Sequence, residues 1–347
     1  MFDGDQLVER HIGTGEYRGM EFLHVNARTI INEVPAASRM PFRHTINAYR
    51  GCSHACTYCF ARPTHEYLGL DVGEDFERKI VVKINAVELL RAELSARRWA
   101  GHHIAMGTNT DPYQRCEGKY HLTRGVIEVL AEAANPFSIL TKSTLILRDL
   151  KLLAAAAARS DVGASLSIGT LDQEIWQLTE PGTPHPRQRV EAVRRLNDAG
   201  VSCGVLIAPI LPGLSDRDDQ LEEVVQACVD AGAVSISALA LHLRPGVREH
   251  FMSQLAQSHP QLVADYERRY RRAYLPAVET KALSERVQRL VERARGVARS
   301  RSSHPAGPPA PGSHRGFRLQ PPRSALAGPG SRPEADAQLS LDLSATS

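Results

Sequence analysis

The segment GCSHACTYCFAR, Gly51 to Arg62, places three cysteines within eight residues: Cys52, Cys56 and Cys59. Disulfides use cysteines in pairs, and a structural zinc site uses four ligands. Three thiolates on one short loop therefore leave two readings. One is a zinc site completed by His54 or His65. The other is an iron–sulfur cube held at three corners, with the fourth iron left open for a substrate or cofactor. The neighbours Gly51, Ser53 and Ala55 are small, so backbone N–H groups can approach the sulfides. This favours the cube.

The rest of the composition fits a reduced, intracellular setting. Only six cysteines occur in 347 residues. The opening MFDGDQLVERHIG has no basic region followed by an apolar core, so no secretory signal is expected. No apolar run approaches the ~20 residues of a membrane helix. A cytoplasmic protein is expected, in which clustered thiols bind metal more often than they form disulfides. The net charge of +3 is too small to argue for a nucleic-acid partner. The distribution of charge is uneven, however. From Arg286 to Pro333 there are ten Arg and a single acid, Glu292.

The elements that must position the loop are short apolar runs, each followed by a helical pattern. HTINAYRG (44–51) leads into the cysteines. FERKIVVKINAVELLRAELSARRW (76–99) reads as an extended entry and then an amphipathic helix. HHIAMGTN, FSILTKS, GASLSIGT, VSCGVLIAPI and VSISALAL then alternate with helical segments as far as residue 241. The runs are rich in Val, Ile, Ala and Ser and suit a parallel sheet buried on both faces. Gly200 and Gly232 stand where left-handed helix caps belong. The fold class is α/β, either an open doubly wound sheet or an incomplete barrel. Four parts are expected: an N-terminal extension at 1–40, the α/β core at 41–245, a helical region at 246–295 and a tail at 296–347. The tail is Pro-, Gly-, Ser- and Arg-rich, has little to bury, and is expected to be disordered.

The loop resembles the signature of the radical S-adenosylmethionine (SAM) superfamily, down to the aromatic Tyr58 before the third cysteine. The stretches GTNTDPYQ (107–114), LTKS (140–143), SLSIGTLD (165–172), EPGTPHPRQRVEAVRRLNDAG (180–200) and IAPILPGLSD (207–216) are similar to its spore photoproduct lyase-like branch over roughly 45–245. This resemblance implies a partial (β/α)6 barrel with a C-terminal helical extension. It implies a [4Fe–4S] cluster on Cys52, Cys56 and Cys59, and SAM chelated to the open iron. It further implies reductive cleavage of SAM to a 5′-deoxyadenosyl radical, fed by an electron donor such as flavodoxin or ferredoxin. Asp111, just past the second strand, is expected to accept from the SAM ammonium. Lys142 is expected to pair with the SAM carboxylate, Ser167 to hydrogen-bond SAM, and Tyr58 to lie near the adenine. Asn109 and Thr110 are weaker companions.

One position departs from the lyase. Its hydrogen-donor cysteine falls where this chain has Thr108, and a hydroxyl is a far poorer hydrogen-atom donor than a thiol. Cys116, five residues past Asp111, is the candidate substitute, although an ordinary buried cysteine explains it more simply. Cys203 and Cys228 read as core residues. The branch leaves the substrate open, with nucleic acid and a repair-like role favoured.

Two C-terminal features bear on partners. Tyr266, Tyr270 and Tyr274 recur at helical spacing between arginines. They read as a stripe packed on the barrel rather than a nucleic-acid surface. QLSLDL, Gln338 to Leu343, is similar to the short peptide that docks bacterial polymerases and repair proteins into the sliding clamp. An alternative reading is a non-catalytic iron–sulfur sensor or DNA-associated module tethered to that clamp.

Overall fold

The computed structural model describes residues 5–35, 38 and 40–301. Two sheets organise it. The smaller joins β1 (Gln6–Ile12), β2 (Glu21–Asn26), β6 (Lys79–Lys83) and β5 (Tyr49–Arg50), in that order. The larger runs from β3 (Ile31–Glu33) through β4 (His44–Ile46), β7 (Ile104–Met106), β8 (Phe137–Thr141), β9 (Val162–Ser167) and β10 (Ser202–Ile210) to β11 (Ile236–Ala240). Six of these strands, β4 and β7 to β11, are parallel and follow chain order. β3 pairs antiparallel with β4 at one edge. This is the expected partial (β/α)6 barrel, open between its first and last strands.

The helices are α1 (Glu74–Arg78), α2 (Ala86–Ser95), α3 (Glu117–Tyr120), α4 (Leu122–Glu132), α5 (Leu150–Ala157), α6 (Gln173–Thr179), α7 (Pro186–Asp198), α8 (Asp218–Asp230), α9 (Val247–Ser258), α10 (Val263–Arg269) and α11 (Ala277–Arg301). Gly200 and Gly232 follow α7 and α8 with φ of +82° and +76°, as the caps require.

β7 and β10 are buried on both faces, as expected, whereas β8 and β9 are covered more fully on one face than the other. Phe137, Ile139, Val162, Ala164 and Leu166 point toward the helices and form the main core with Ile104, Val126, Leu153 and Val193. Residues of the opposite parity, Ser138, Leu140, Gly163 and Ser165, are only half-buried. They line a concave inner face of small and polar side chains. The strand period of two makes this division. Helices cover the outside.

The stretch 44–51 is two strands. β4 stays in the large sheet and β5 crosses to the small one. The break falls at Asn47, whose side chain bonds Thr108 and the Asn109 N–H. The cysteine loop that follows is thus suspended between the sheets. Residues 5–35, expected as an extension, supply strands to both sheets. α11 packs on α8 and β11 and runs six residues beyond the expected end of the helical region at 295.

A second core ties the C-terminal helices to the cysteine loop. Cys56 and Tyr58 pack there with Leu211, Leu243, Phe251 and Leu255. Tyr266 and Tyr270 belong to it and are fully buried, and the Tyr266 hydroxyl donates to the Pro212 carbonyl. They pack on the barrel as expected. Tyr274 lies beyond α10, half-exposed, with its hydroxyl bonded by Arg244. Gln338–Leu343 lies outside the described residues.

Candidate active site around the cysteine loop

The loop is held by its backbone from three sides. Gly51 turns the chain at φ +82°, a conformation that penalises any side chain, and a Cβ there would lie 2.9 Å from the Phe76 carbonyl. The Cys52 N–H donates to that same carbonyl at 2.9 Å. Arg62, fully buried, closes the loop from below. Its Nε and Nη2 both donate to the Cys56 carbonyl at 3.0 and 2.9 Å, its Nη1 bonds Val72 and Gly73, and Glu77 balances its charge at 2.5 Å. Five donors in a rigid fork suit this role, and a lysine could not fill it.

The second side is the loop after β7. Gln114 accepts from Ser53 N–H at 3.0 Å and donates to the Gly51 carbonyl at 3.0 Å. The Thr110 hydroxyl donates to that carbonyl as well, at 2.6 Å. Asp111 sits 3.3 Å from His54 Nδ1 through Oδ2, which also accepts from Lys142 N–H at 2.7 Å. Its Oδ1 accepts from the Thr141 hydroxyl at 2.6 Å and Tyr113 N–H at 2.9 Å. Burial pushes this carboxyl up, but His54 and the hydrogen bonds prevail and hold it below the ordinary range. Asp111 therefore already has two partners on each oxygen. Its observed work is to fasten His54, a loop residue, to the ends of β7 and β8.

The third side is the EPGTP turn. Gly182 N–H donates to the His54 carbonyl at 3.0 Å, and Thr57 N–H donates to the Thr179 carbonyl. The approach is so close that a Cβ on Gly182 would lie 2.2 Å from the Ser53 carbonyl.

Above the loop is a charged network that the sequence reading only half anticipated. Lys142 Nζ donates to Ser167 Oγ at 2.8 Å, Glu180 Oε1 at 3.0 Å and the Ala208 carbonyl at 3.3 Å. It lies 5.5 Å from the centre of the Tyr58 ring. Tyr58 donates its hydroxyl to Glu180, and Arg189 reaches the other Glu180 oxygen at 2.5 Å. Burial works against the Glu180 charge, but Arg189 and Lys142 outweigh it and bring the carboxyl down to about 2. Lys142, Ser167 and Tyr58, all expected to bind SAM, are thus brought together. Glu180 and Arg189 were not foreseen as members, although Glu180 opens a stretch that carried the branch resemblance.

The three thiols fit a cluster better than a single ion. Burial pushes all of them up, so free thiolates are disfavoured until a metal supplies charge. Zn–S bonds of about 2.3 Å would bring thiolates to roughly 3.8 Å of one another. Among the described residues, one group of three ligand atoms lies within 4.8 Å, and it is not the cysteines. Of the histidines of the zinc reading, His54 is bound to Asp111, and His65 Nε2 to the Lys79 carbonyl while its Nδ1 has no partner. Cys116 is fully buried in the main core, as are Cys203 and Cys228. Thr108 bonds Asn47 beside the first strand.

Residues 46–227 match the sequence model of the Radical SAM superfamily. The chain belongs to the radical SAM superfamily. An uncharacterised protein of Mycobacterium tuberculosis is 43% identical over 297 residues, covering 85% of this chain and 87% of its own. An uncharacterised protein of Methanocaldococcus jannaschii is 29% identical over 199 residues, covering 57% and 70%. Among solved structures, a spore photoproduct lyase variant with bound AdoMet and dinucleoside spore photoproduct superposes with a TM-score of 0.58. It shares 18% identity and covers 78% of this chain and 79% of its own. At that identity the likeness is one of fold. Radical SAM membership implies a [4Fe–4S] cluster, SAM as cofactor and a reductant as electron donor.

A cavity of about 610 Å³ opens beside His54, walled by Ser143–Leu145, Arg148 and Gly182–Pro184. Thr183 in its wall bonds Glu180 and Arg189 of the Lys142 network. Phe60, next to Cys59, is 56% exposed, a large apolar ring at the edge of the loop that sequence reading passed over. Among the described residues no helix is long and apolar enough to cross a membrane.

Proposed function

We propose that this radical SAM protein is an enzyme that binds SAM beside Cys52, Cys56 and Cys59 and acts on a base-bearing substrate, with nucleic acid the favoured class. The observation that supports it is the Lys142 ammonium, poised among Ser167, Glu180 and Tyr58 at the strand ends next to the cysteine loop. When bound, the cluster and SAM supply one-electron cleavage of the sulfonium and a 5′-deoxyadenosyl radical. The chain's own residues do the positioning. Lys142 offers charge-assisted donors to a carboxylate. Ser167 holds Lys142 in place, and the Tyr58 ring provides an apolar wall. Asp111, whose acceptors are taken, acts on the site through His54 and the Lys142 backbone. A sensor or staple needs no cation held ready in this way, so the catalytic reading is preferred.

The nucleic-acid class is supported by the exposed Phe60 ring at the edge of the loop, a platform on which a base can stack. With Thr108 lacking a thiol and Cys116 buried away from the inner face, neither is assigned as hydrogen donor. The test is anaerobic incubation of the reconstituted protein with dithionite and SAM. The expected result is 5′-deoxyadenosine release that Cys56→Ala abolishes. Equal release from both proteins would overturn the reading.

A further inference from the structure

The Glu9, His11 and His24 side chains gather on the small sheet, away from the cysteine loop. β1 and β2 pair antiparallel, with Glu9 opposite His24 and His11 opposite Phe22. Glu9 and His11 are two residues apart and share a face, so the register brings all three together. Glu9 Oε2 is 3.0 Å from His11 Nε2, and the two imidazole rings lie 4.4 Å apart. One ligand atom from each residue lies within 4.8 Å of the others.

We propose that Glu9, His11 and His24 bind one divalent ion of the zinc class. The donor set is two imidazoles and a carboxylate, which suits zinc and not the oxygen-seeking calcium or magnesium. Around a tetrahedral zinc such atoms stand roughly 3.3 Å apart, a modest closing of the observed spacing. Glu9 and His11 are partly exposed, so water can reach a fourth position.

The surroundings support the assignment. Tyr120 Oη lies 2.8 Å from His24 Nε2 and fixes that ring, as outer partners of metal-binding histidines do. The one nearby cation on α3, Lys119, is drawn off over the Phe22 and Tyr120 rings.

The ion would act on the hairpin, not at the cysteine loop. The hairpin abuts the segment that clamps the cysteine loop: Tyr17 donates to the Arg115 carbonyl, and Arg115 donates to Glu16 O. A bound ion would fix β1 to β2 next to that segment without touching the radical chemistry.

The experiment uses the full chain with its cluster, purified without an oligohistidine tag and dialysed against micromolar free zinc. The expected result is one zinc per chain beyond the iron, with zinc-edge X-ray absorption showing nitrogen and oxygen ligands and no sulfur. A His11→Ala, His24→Ala variant should bind zinc about 100-fold more weakly or worse, with iron content unchanged. Glu9→Gln, on the exposed edge strand, should weaken it without disturbing the fold. Zinc bound through sulfur, zinc retained at full affinity by the double variant, or no zinc bound by the unaltered chain would each overturn the proposal. All these readouts are independent of SAM cleavage, so they stand or fall apart from the catalytic reading.

Discussion

Lys142 and Glu180 meet at 3.0 Å across 38 residues of sequence, and the ammonium spends its other donors on Ser167 and the Ala208 carbonyl. All three N–H donors of Lys142 therefore have partners before any ligand arrives. A carboxylate that binds there exchanges one partner for another, in a site that is already rigid. Lys142→Ala should weaken SAM binding about 10- to 100-fold, the worth of one charged hydrogen bond. The cluster should remain, because Lys142 makes no bond to the cysteine loop except through its ring contact with Tyr58. Titrating SAM against the EPR signal of the reduced cluster checks this. Unchanged affinity would move the SAM carboxylate elsewhere.

Gly182→Ala should break the cysteine loop without breaking the barrel. Its Cβ would meet the Ser53 carbonyl at 2.2 Å, and backbone on both sides cannot yield as a side chain could. The loop would shift, and the three sulfurs with it. Iron content after reconstitution should fall well below that of the unaltered protein, while far-ultraviolet circular dichroism stays the same.

The depressed Glu180 carboxyl makes a signed prediction about pH. Its pKa falls from the ordinary 4.5 to about 2, through Arg189 and Lys142 overcoming burial. A depressed carboxylate stabilises the fold fully above its unfolded value. That contribution is lost as pH drops from about 4.5 toward 2. At neutral pH, Glu180→Gln leaves the buried Arg189 and the partly buried Lys142 short of a partner and should cost about 3–5 kcal/mol. The gap in melting temperature between the two proteins should shrink as pH is lowered through this window. A gap independent of pH would mean that the charge of Glu180 does not stabilise the fold.

These residues also show what a sequence can and cannot disclose. The cysteines were legible because their spacing lies within one loop. Lys142 and Ser167 were legible as polar residues at strand ends inside resembling stretches. Their organisers were not, because Glu180 and Gln114 act through partners remote in sequence and Arg62 through backbone. Gln114 grips Ser53 across 61 residues, and Arg62 works through carbonyls that any residue supplies. Asp111 stood out in the sequence, but its four protein partners did not. The inner face was hidden for another reason. Its alternating Ser and Gly are small enough to pass for buried strand, so short runs such as GASLSI read as covered on both sides.

Phe60 carries the argument about substrate. A ring left 56% exposed beside Cys59 has an open face, and a base stacked on it would gain about 1–3 kcal/mol. Phe60→Ala should leave iron content and SAM affinity unchanged, since the ring joins neither the loop's hydrogen bonds nor the Lys142 network. Binding of single-stranded oligonucleotides to the holoenzyme should weaken about 5- to 150-fold, measured by fluorescence anisotropy at fixed salt because phosphate contacts depend on it. Phe60→Tyr should retain the affinity, because stacking needs the ring and not its substituent. Equal weakening by Ala and Tyr would remove stacking as the cause. Unchanged binding in the Ala variant would turn the search toward substrates without a base.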